Sequence, residues 1–229
     1  MISYTGFVLS FLKYGDSDAI LHCFTLEEGF QSFFLKSVFT QKNRKKALLL
    51  PLSILSFNCR KSKPDVEINS VLKFELEQSY DFYTDVKANT IVFFISDFLN
   101  QILKHENSNP QIFSAIIEFN ENLDAKNYRS HLILLILLLR IQGIAPLSSS
   151  LEYLDPETGN FNLNGTHHLF TKEISGIWKQ IAFSENPYET KIKSSHRKQL
   201  LDSILVYYHY HFTDFKIPSS LEIIQQIYD

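Results

Sequence analysis

The spacing of apolar residues changes at about residue 80, and this change constrains the fold more than any other feature. Before it, short apolar blocks with a period of two residues are separated by turns such as Gly15-Asp-Ser-Asp18. After it, apolar residues recur at the three- and four-residue spacing of helices. The sequence therefore predicts two domains, residues 1–80 built of strands and residues 81–229 built of helices.

Five strands are predicted in the first domain, at residues 4–12, 19–25, 30–37, 48–57 and 66–78. A lone open sheet of this size would leave unpaired edges, so a small closed or nearly closed barrel is favoured. A five-stranded oligonucleotide-binding (OB) barrel fits the pattern. An SH3-like barrel fits it equally well, because the periodicity does not distinguish the two.

Six helices are predicted in the second domain, at residues 84–105, 111–123, 127–142, 172–183, 195–212 and 219–228. The third is apolar on nearly every side, which is typical of a helix at the centre of a bundle. The last opens with the capping box Ser219-Ser-Leu-Glu222. A small insertion at about 147–166 is predicted to hold a hairpin, so the fold class is α+β.

Positive charge is concentrated in the first domain although the whole chain has a net charge of −3. Residues 31–64 contain no carboxylate. They carry eight cations, Lys36, Lys42, Arg44, Lys45, Lys46, Arg60, Lys61 and Lys63. Interleaved with phenylalanines, this composition is typical of a face that binds a polyanion such as DNA. In an extended loop, Lys42, Arg44 and Lys46 would project to one side about 6.6 Å apart. A merely solvated loop is the alternative.

The aromatic, sulfur and imidazole side chains have structural interpretations beside functional ones. Phe39 and Phe57 either stack on bases or belong to the barrel core. Cys23 lies inside a predicted strand, which favours a buried structural thiol over a nucleophile. His209 and His211 are two residues apart, so a helix would point them to different faces. We predict no bound metal.

Several function classes are disfavoured by what the sequence omits. It has no Gly-x-Ser-x-Gly motif, no glycine-rich loop before a lysine and only seven glycines in all. These omissions favour a binding protein that is not an enzyme and needs no cofactor. The longest apolar run has eight residues, and the stretch Met1–Gly6 lacks the basic region followed by an apolar stretch that a secretory signal requires. We therefore expect a cytoplasmic protein without a membrane span.

The order of several motifs resembles one family. Gly6-Phe-Val-Leu-Ser-Phe-Leu-Lys-Tyr-Gly-Asp-Ser-Asp-Ala-Ile-Leu-His-Cys-Phe-Thr25, the basic loop and Ala47-Leu-Leu-Leu-Pro-Leu52 resemble the N-terminal barrel of the RecO family of bacterial recombination mediators. The apolar helix that ends before Pro146, the hairpin at 154–161 and the stretch 207–224 are similar to its later parts. The resemblance covers essentially the whole chain.

Membership of this family would imply an OB barrel followed by a helical domain. It would also imply binding of single- and double-stranded DNA, annealing of complementary strands, and loading of RecA recombinase with RecR and the C-terminal tail of single-strand-binding protein. The protein would be located in the cytoplasm, in association with the nucleoid. On the family pattern the DNA-contacting cations fall on Lys36, Lys42, Arg44, Lys45 and Lys46.

Two departures from the family pattern matter. Ser37 stands where many relatives have a glycine after the lysine. Many relatives also have a four-cysteine zinc module around the hairpin, but here residues 148–150 are serines and Asn162 and Asn164 occupy its second half. The chain therefore resembles a zinc-free branch. Two alternatives from other classes are a metal-dependent nuclease and a non-catalytic OB-fold module for protein assembly.

Overall fold

The structure of the protein, a computed structural model, describes residues 1–41, 43–60 and 68–226. Its first part contains five strands, β1 Ile2–Tyr14, β2 Asp18–Thr25, β3 Gly29–Leu35, β4 Ile54–Arg60 and β5 Asn69–Gln78. They form a closed barrel in the order β1-β2-β3-β5-β4, in which β3 and β5 are parallel and the other neighbours antiparallel. This OB-like Greek-key closure decides between the two barrels that the sequence allowed.

Aromatic rings fill the barrel because inward positions alternate with outward ones along each strand. The ring centroids of Phe33 and Phe57 lie 4.5 Å apart, and those of Tyr4 and Phe33 lie 5.1 Å apart. All three side chains are at most 2% exposed. The buried apolar core of the barrel therefore fixes the strands on either side of the basic segment, which we define as residues 43–46.

The connection from β3 to β4 covers the barrel interior and differs from the prediction. Residues 48–57 were expected to form a strand, but Arg44–Leu48 is a 3₁₀ helix and β4 begins only at Ile54. Leu49 is buried in the barrel core, and Leu52 has a φ of 60° in the left-handed region. Pro51 also lacks an amide hydrogen for a sheet. Leu49 is therefore buried by a chain that turns at this point, and residues 49–53 do not continue as a strand.

The compact unit that contains the barrel extends to Phe113, and the second unit covers Ser114–Asp229. The first unit thus includes helix α1, Val86–Ile102, whose Ser96 hydroxyl donates to the carbonyl of Leu9 on β1. Asp85 rather than Thr84 caps this helix, because its carboxylate accepts from the amide of Ala88 at 3.0 Å. The domain limit at residue 80 stays a prediction.

The second unit is helical. Its elements are α3 Ser130–Ile141, the two-stranded hairpin of β6 Tyr153–Leu154 and β7 Phe161–Asn162, and then α4 Lys172–Phe183, α5 Ser194–His211 and α6 Leu221–Gln225. Helix α2, Pro110–Asp124, contains the division between the units. Within the described residues, no helix is long and apolar enough to cross a membrane.

Helix α3 lies at the centre of the second unit, as its all-round apolar surface predicts. Every residue from Ser130 to Leu139 is buried, and the hydroxyl of Tyr208 on α5 donates to the Leu135 carbonyl at 2.8 Å. The prediction for the last helix was wrong at its start. It begins at Leu221 rather than at Ser219, and Ser220 is the N-cap residue.

Candidate nucleic-acid interface

The basic segment is anchored to the barrel by hydrogen bonds around Asn43. The side-chain oxygen of Asn43 accepts from the amide of Lys45 at 2.9 Å, and its side-chain nitrogen donates to the carbonyl of Ser37 at 3.2 Å. Ser37 has a φ of 55°, the conformation that glycine favours, and its amide donates to Asp18 at 2.7 Å. The turn therefore forms with a serine in the left-handed conformation.

Two cations of the segment, Arg44 and Lys46, are exposed. Among the described residues, neither forms an ion pair with a carboxylate. The 3₁₀ helix corrects the expectation of an extended loop, because a helix with three residues per turn does not place residues two apart on the same side. The two charges therefore diverge from a fixed base instead of forming a single row.

Lys45 has a different environment from its neighbours. Its ammonium donates to the carbonyl of Phe74 on β5 at 2.9 Å and lies 5.3 Å from the centroid of the Phe74 ring. Lys45 also contributes to lowering the pKa of Glu75, although the main cause is the hydrogen bond from Lys73 at 2.8 Å. Lys45 thus fastens the basic segment to β5, and much of its charge is already engaged.

The remaining predicted cations are placed as follows. Lys36 is exposed in the turn after β3, and Arg60 is exposed at the end of β4, where it pairs in register with Ser70 of β5. Lys42, Lys61 and Lys63 lie outside the described residues. The structure therefore brings four exposed cations, Lys36, Arg44, Lys46 and Arg60, to the barrel and its connection from β3 to β4.

The two phenylalanines with alternative interpretations have different positions. Phe57 is 2% exposed inside the barrel, so it is a core residue and has no face for a base. Phe39 packs partly against the same core, and its ring lies 5.8 Å from that of Phe11. Neither ring is a free platform on the outside of the barrel.

The thiols of the barrel are buried and unsuited to nucleophilic chemistry. Cys23 and Cys59 are both free and in the core. Burial raises the pKa of Cys59 to about 11 and that of Cys23 further, so neither is a thiolate near neutral pH. In the parts of the chain that the structure describes, no three His, Cys, Asp or Glu side chains group as metal ligands.

The hairpin of Tyr153–Leu154 and Phe161–Asn162 is held by side chains from the helices after it. The ammonium of Lys179 on α4 contacts the carbonyl of Leu151 and lies 4.3 Å from the centroid of the Phe161 ring. A ring nitrogen of His211 on α5 lies 2.9 Å from the carbonyl of Pro156. These contacts, together with the β6–β7 pairing, fix the hairpin.

The outside of the barrel has an exposed apolar area that the sequence patterns did not predict. Leu12 and Tyr14 on β1 are 59% and 58% exposed, and the ring of Phe34 on β3 lies 6.0 Å from that of Tyr14. The two-residue period of β3 could have predicted that Phe34 points outward, because its neighbours Phe33 and Leu35 point inward.

The comparisons with known proteins agree with this geometry. The family model described as "Recombination protein O N terminal" matches residues 1–80. The DNA repair protein RecO of Flavobacterium psychrophilum is 29% identical over 232 residues, 96% of each chain. That of Flavobacterium johnsoniae is 28% identical over 235 residues, again 96% of each. That of Phocaeicola vulgatus is 25% identical over 238 residues, 97% of each. Residues 1–80 thus match the N-terminal part of the RecO family, and over nearly its whole length the chain is similar to DNA repair proteins named RecO.

Proposed function

We propose that the chain binds the phosphates of single- and double-stranded DNA through the exposed cations of the barrel and thereby promotes annealing of complementary strands. The observation that carries this proposal is the pair Arg44 and Lys46. Both are exposed on an anchored segment, within a stretch that contains no carboxylate. A cation without a carboxylate neighbour keeps its full attraction for phosphate, because no internal ion pair has to break first.

Annealing by this route needs no covalent chemistry. Two single strands repel each other through their phosphates, and bound cations reduce that repulsion while base pairing supplies the favourable free energy. The protein thus acts by binding alone and is not an enzyme. The predicted helical domain contributes little to phosphate binding, because residues 81–229 contain twelve Lys or Arg against seventeen Asp or Glu.

The similarity to RecO proteins supports a role as a recombination mediator in the cytoplasm at the nucleoid. The direct partners are RecR and single-strand-binding protein, and RecA is helped indirectly when it is loaded onto DNA. The side chains from Leu132 to Leu139 are buried, so they offer no exposed surface to the tail of single-strand-binding protein.

The proposal is tested by the annealing rate of two complementary labelled oligonucleotides. The variant Arg44→Gln/Lys46→Gln should anneal them more slowly than the wild type, whereas the control Lys126→Gln/Lys191→Gln should not, although it removes the same charge from exposed positions of the second unit. Equal rates for wild type and the Arg44/Lys46 variant would contradict the proposal.

Two further assays address the two alternatives, a metal-dependent nuclease and a protein-assembly module. A metal-dependent nuclease would shorten end-labelled DNA when Mg²⁺ is added, so we expect full-length products on a denaturing gel. A protein-assembly module would give no mobility shift with oligonucleotides at low salt, where phosphate binding is strongest. Cleavage or the absence of a shift would replace our proposal with the corresponding alternative.

A further inference from the structure

The outer face of strands β1, β2 and β3 is only half covered by the rest of its compact unit. The register aligns outward side chains in rows across the three strands. One row contains Phe7, Phe24 and Phe30, and another contains Leu12, Ile20 and Phe34. The rows point outward because their strand neighbours, such as Val8, Cys23 and Phe33, belong to the barrel core.

The first row is covered. Phe7 and Phe24 are fully buried, and the ring of Phe7 lies 4.6 Å from that of Phe113. The backbone of the same strands is also engaged there, because the amide of Phe30 donates to the carbonyl of Glu106 at 3.0 Å. This end of the face is thus an ordinary packed interface within the first unit.

The other end is open to solvent. We call it the open patch and define it as Leu12, Tyr14, Ile20 and Phe34. Leu12 and Tyr14 are more than half exposed, and Ile20 and Phe34 are partly so. The rings of Tyr14 and Phe34 meet edge to face at an interplanar angle of 82°. An exposed and a partly exposed aromatic ring, adjacent on a rigid sheet, offer π faces to a planar ligand.

Two exposed cations lie near the open patch. Lys36 follows Phe34 by two residues, in the turn after β3. Lys104, on the turn after α1, contributes to lowering the pKa of His22 in the next row, after burial. Two carboxylates are near, Asp16 at the turn and Asp18, but Asp18 accepts from the amide of Ser37. The charge around the rings therefore suits a ligand that combines planar groups with phosphates.

We propose that the open patch stacks the unpaired bases of single-stranded DNA, next to the cations that hold its phosphates. The inference rests on the proposed function, since it assigns a second contact to the same ligand. Stacking on aromatic rings tolerates any base sequence, as annealing requires. Duplex DNA hides the faces of its bases, so the patch distinguishes single strands from duplex, whereas Arg44 and Lys46 do not.

The test compares three probes of equal phosphate number: a thymidine oligonucleotide, an abasic oligonucleotide and a duplex. The variants are Tyr14→Leu, Phe34→Leu and their combination, in which leucine keeps apolar bulk and removes the π face. Each should bind the thymidine strand at least about fivefold more weakly, the lower limit for one lost stacked base. Affinity for the abasic strand and the duplex should not change.

Phe93→Leu is the matched control, because Phe93 is 53% exposed on α1 of the same unit and lies outside the open patch. It should leave all three affinities unchanged. Unchanged thymidine binding by the Tyr14/Phe34 double variant would overturn the inference, as would an equal loss on all three probes. A shift of oligomeric state in the variants, measured by sedimentation, would assign the patch to a second copy of the chain and also overturn it. Absence of binding to every probe by the wild type would instead refute the proposed function.

Discussion

The substitution Gly29→Ala tests whether the barrel and the segment after α1 form one packed unit. Gly29 starts β3 with a φ of 74°, and a Cβ atom there would lie 2.3 Å from the carbonyl carbon of Asn107 and 2.4 Å from the carbonyl oxygen of Glu106. These are backbone atoms, which cannot rotate away as a side chain can. Gly15 provides a matched control, because its φ is 59° but nothing lies within 4 Å of its added Cβ.

The expected loss follows from two separate terms. A left-handed conformation costs an alanine about 1 kcal/mol at either glycine. At Gly29 the loop must also move away, which breaks the bond from the Phe30 amide to Glu106 at 3.0 Å and the bond from the Ser108 hydroxyl to Leu26 at 2.6 Å. At about 1 kcal/mol for each bond, we expect Gly29→Ala to lower the free energy of unfolding by about 3 kcal/mol and Gly15→Ala by about 1 kcal/mol.

Urea unfolding followed by far-ultraviolet circular dichroism measures both losses, with the midpoint converted to free energy through the slope. The difference between the two variants isolates the contact between the β2–β3 turn and the segment at 106–108. Equal losses for Gly29→Ala and Gly15→Ala would refute the reasoning, because the barrel would then not depend on residues beyond 80 at this point.

Three further predictions concern the second unit. Burial lowers the pKa of His131 to about 3 from its usual 6.5. Between pH 3 and pH 6.5, the unfolded chain therefore binds a proton at this residue and the folded chain does not. Stability should therefore fall by up to about 1.4 kcal/mol per pH unit below 6.5, and His131→Leu should show a smaller loss between pH 7 and pH 5 in urea titrations. Tyr208→Phe removes the bond to Leu135 and should cost about 1 kcal/mol, whereas Tyr210→Phe, 48% exposed, should be neutral. Dialysis against a chelator should leave the melting temperature unchanged, because side chains such as Lys179 hold the hairpin; a decrease that zinc reverses would contradict this.

Much of the fold is readable from the sequence where one pattern dominates. Helix α4 has the predicted limits, residues 172–183, because Thr171 caps it through the amide of Ile174 and its apolar residues keep one spacing throughout. The strand at 48–53 was mispredicted because its leucines are apolar whether they pair in a sheet or fold inward as turns. The strand and the turns are distinguished only by the folded barrel, whose interior is covered by Leu49.

The candidate site was only partly predictable for a similar reason. Composition identifies a segment rich in cations, but it does not tell which of them have internal partners. Lys45 and Lys46 are adjacent in sequence, yet Lys45 bonds to Phe74, 29 residues away, while Lys46 is exposed. The open patch depends on the strand register, which brings Tyr14 and Phe34 together from β1 and β3 across the turns that separate them.

The salt dependence of binding to a single-stranded oligonucleotide tests the central claim most directly. Each released phosphate contact on a single strand changes the slope of log affinity against log salt by about 0.7. Arg44→Gln/Lys46→Gln should therefore flatten the slope by about 1.4 relative to the wild type. Lys45→Gln should flatten it by less than one contact, because its ammonium already bonds to Phe74. A slope in the Arg44/Lys46 variant equal to that of the wild type would contradict the account.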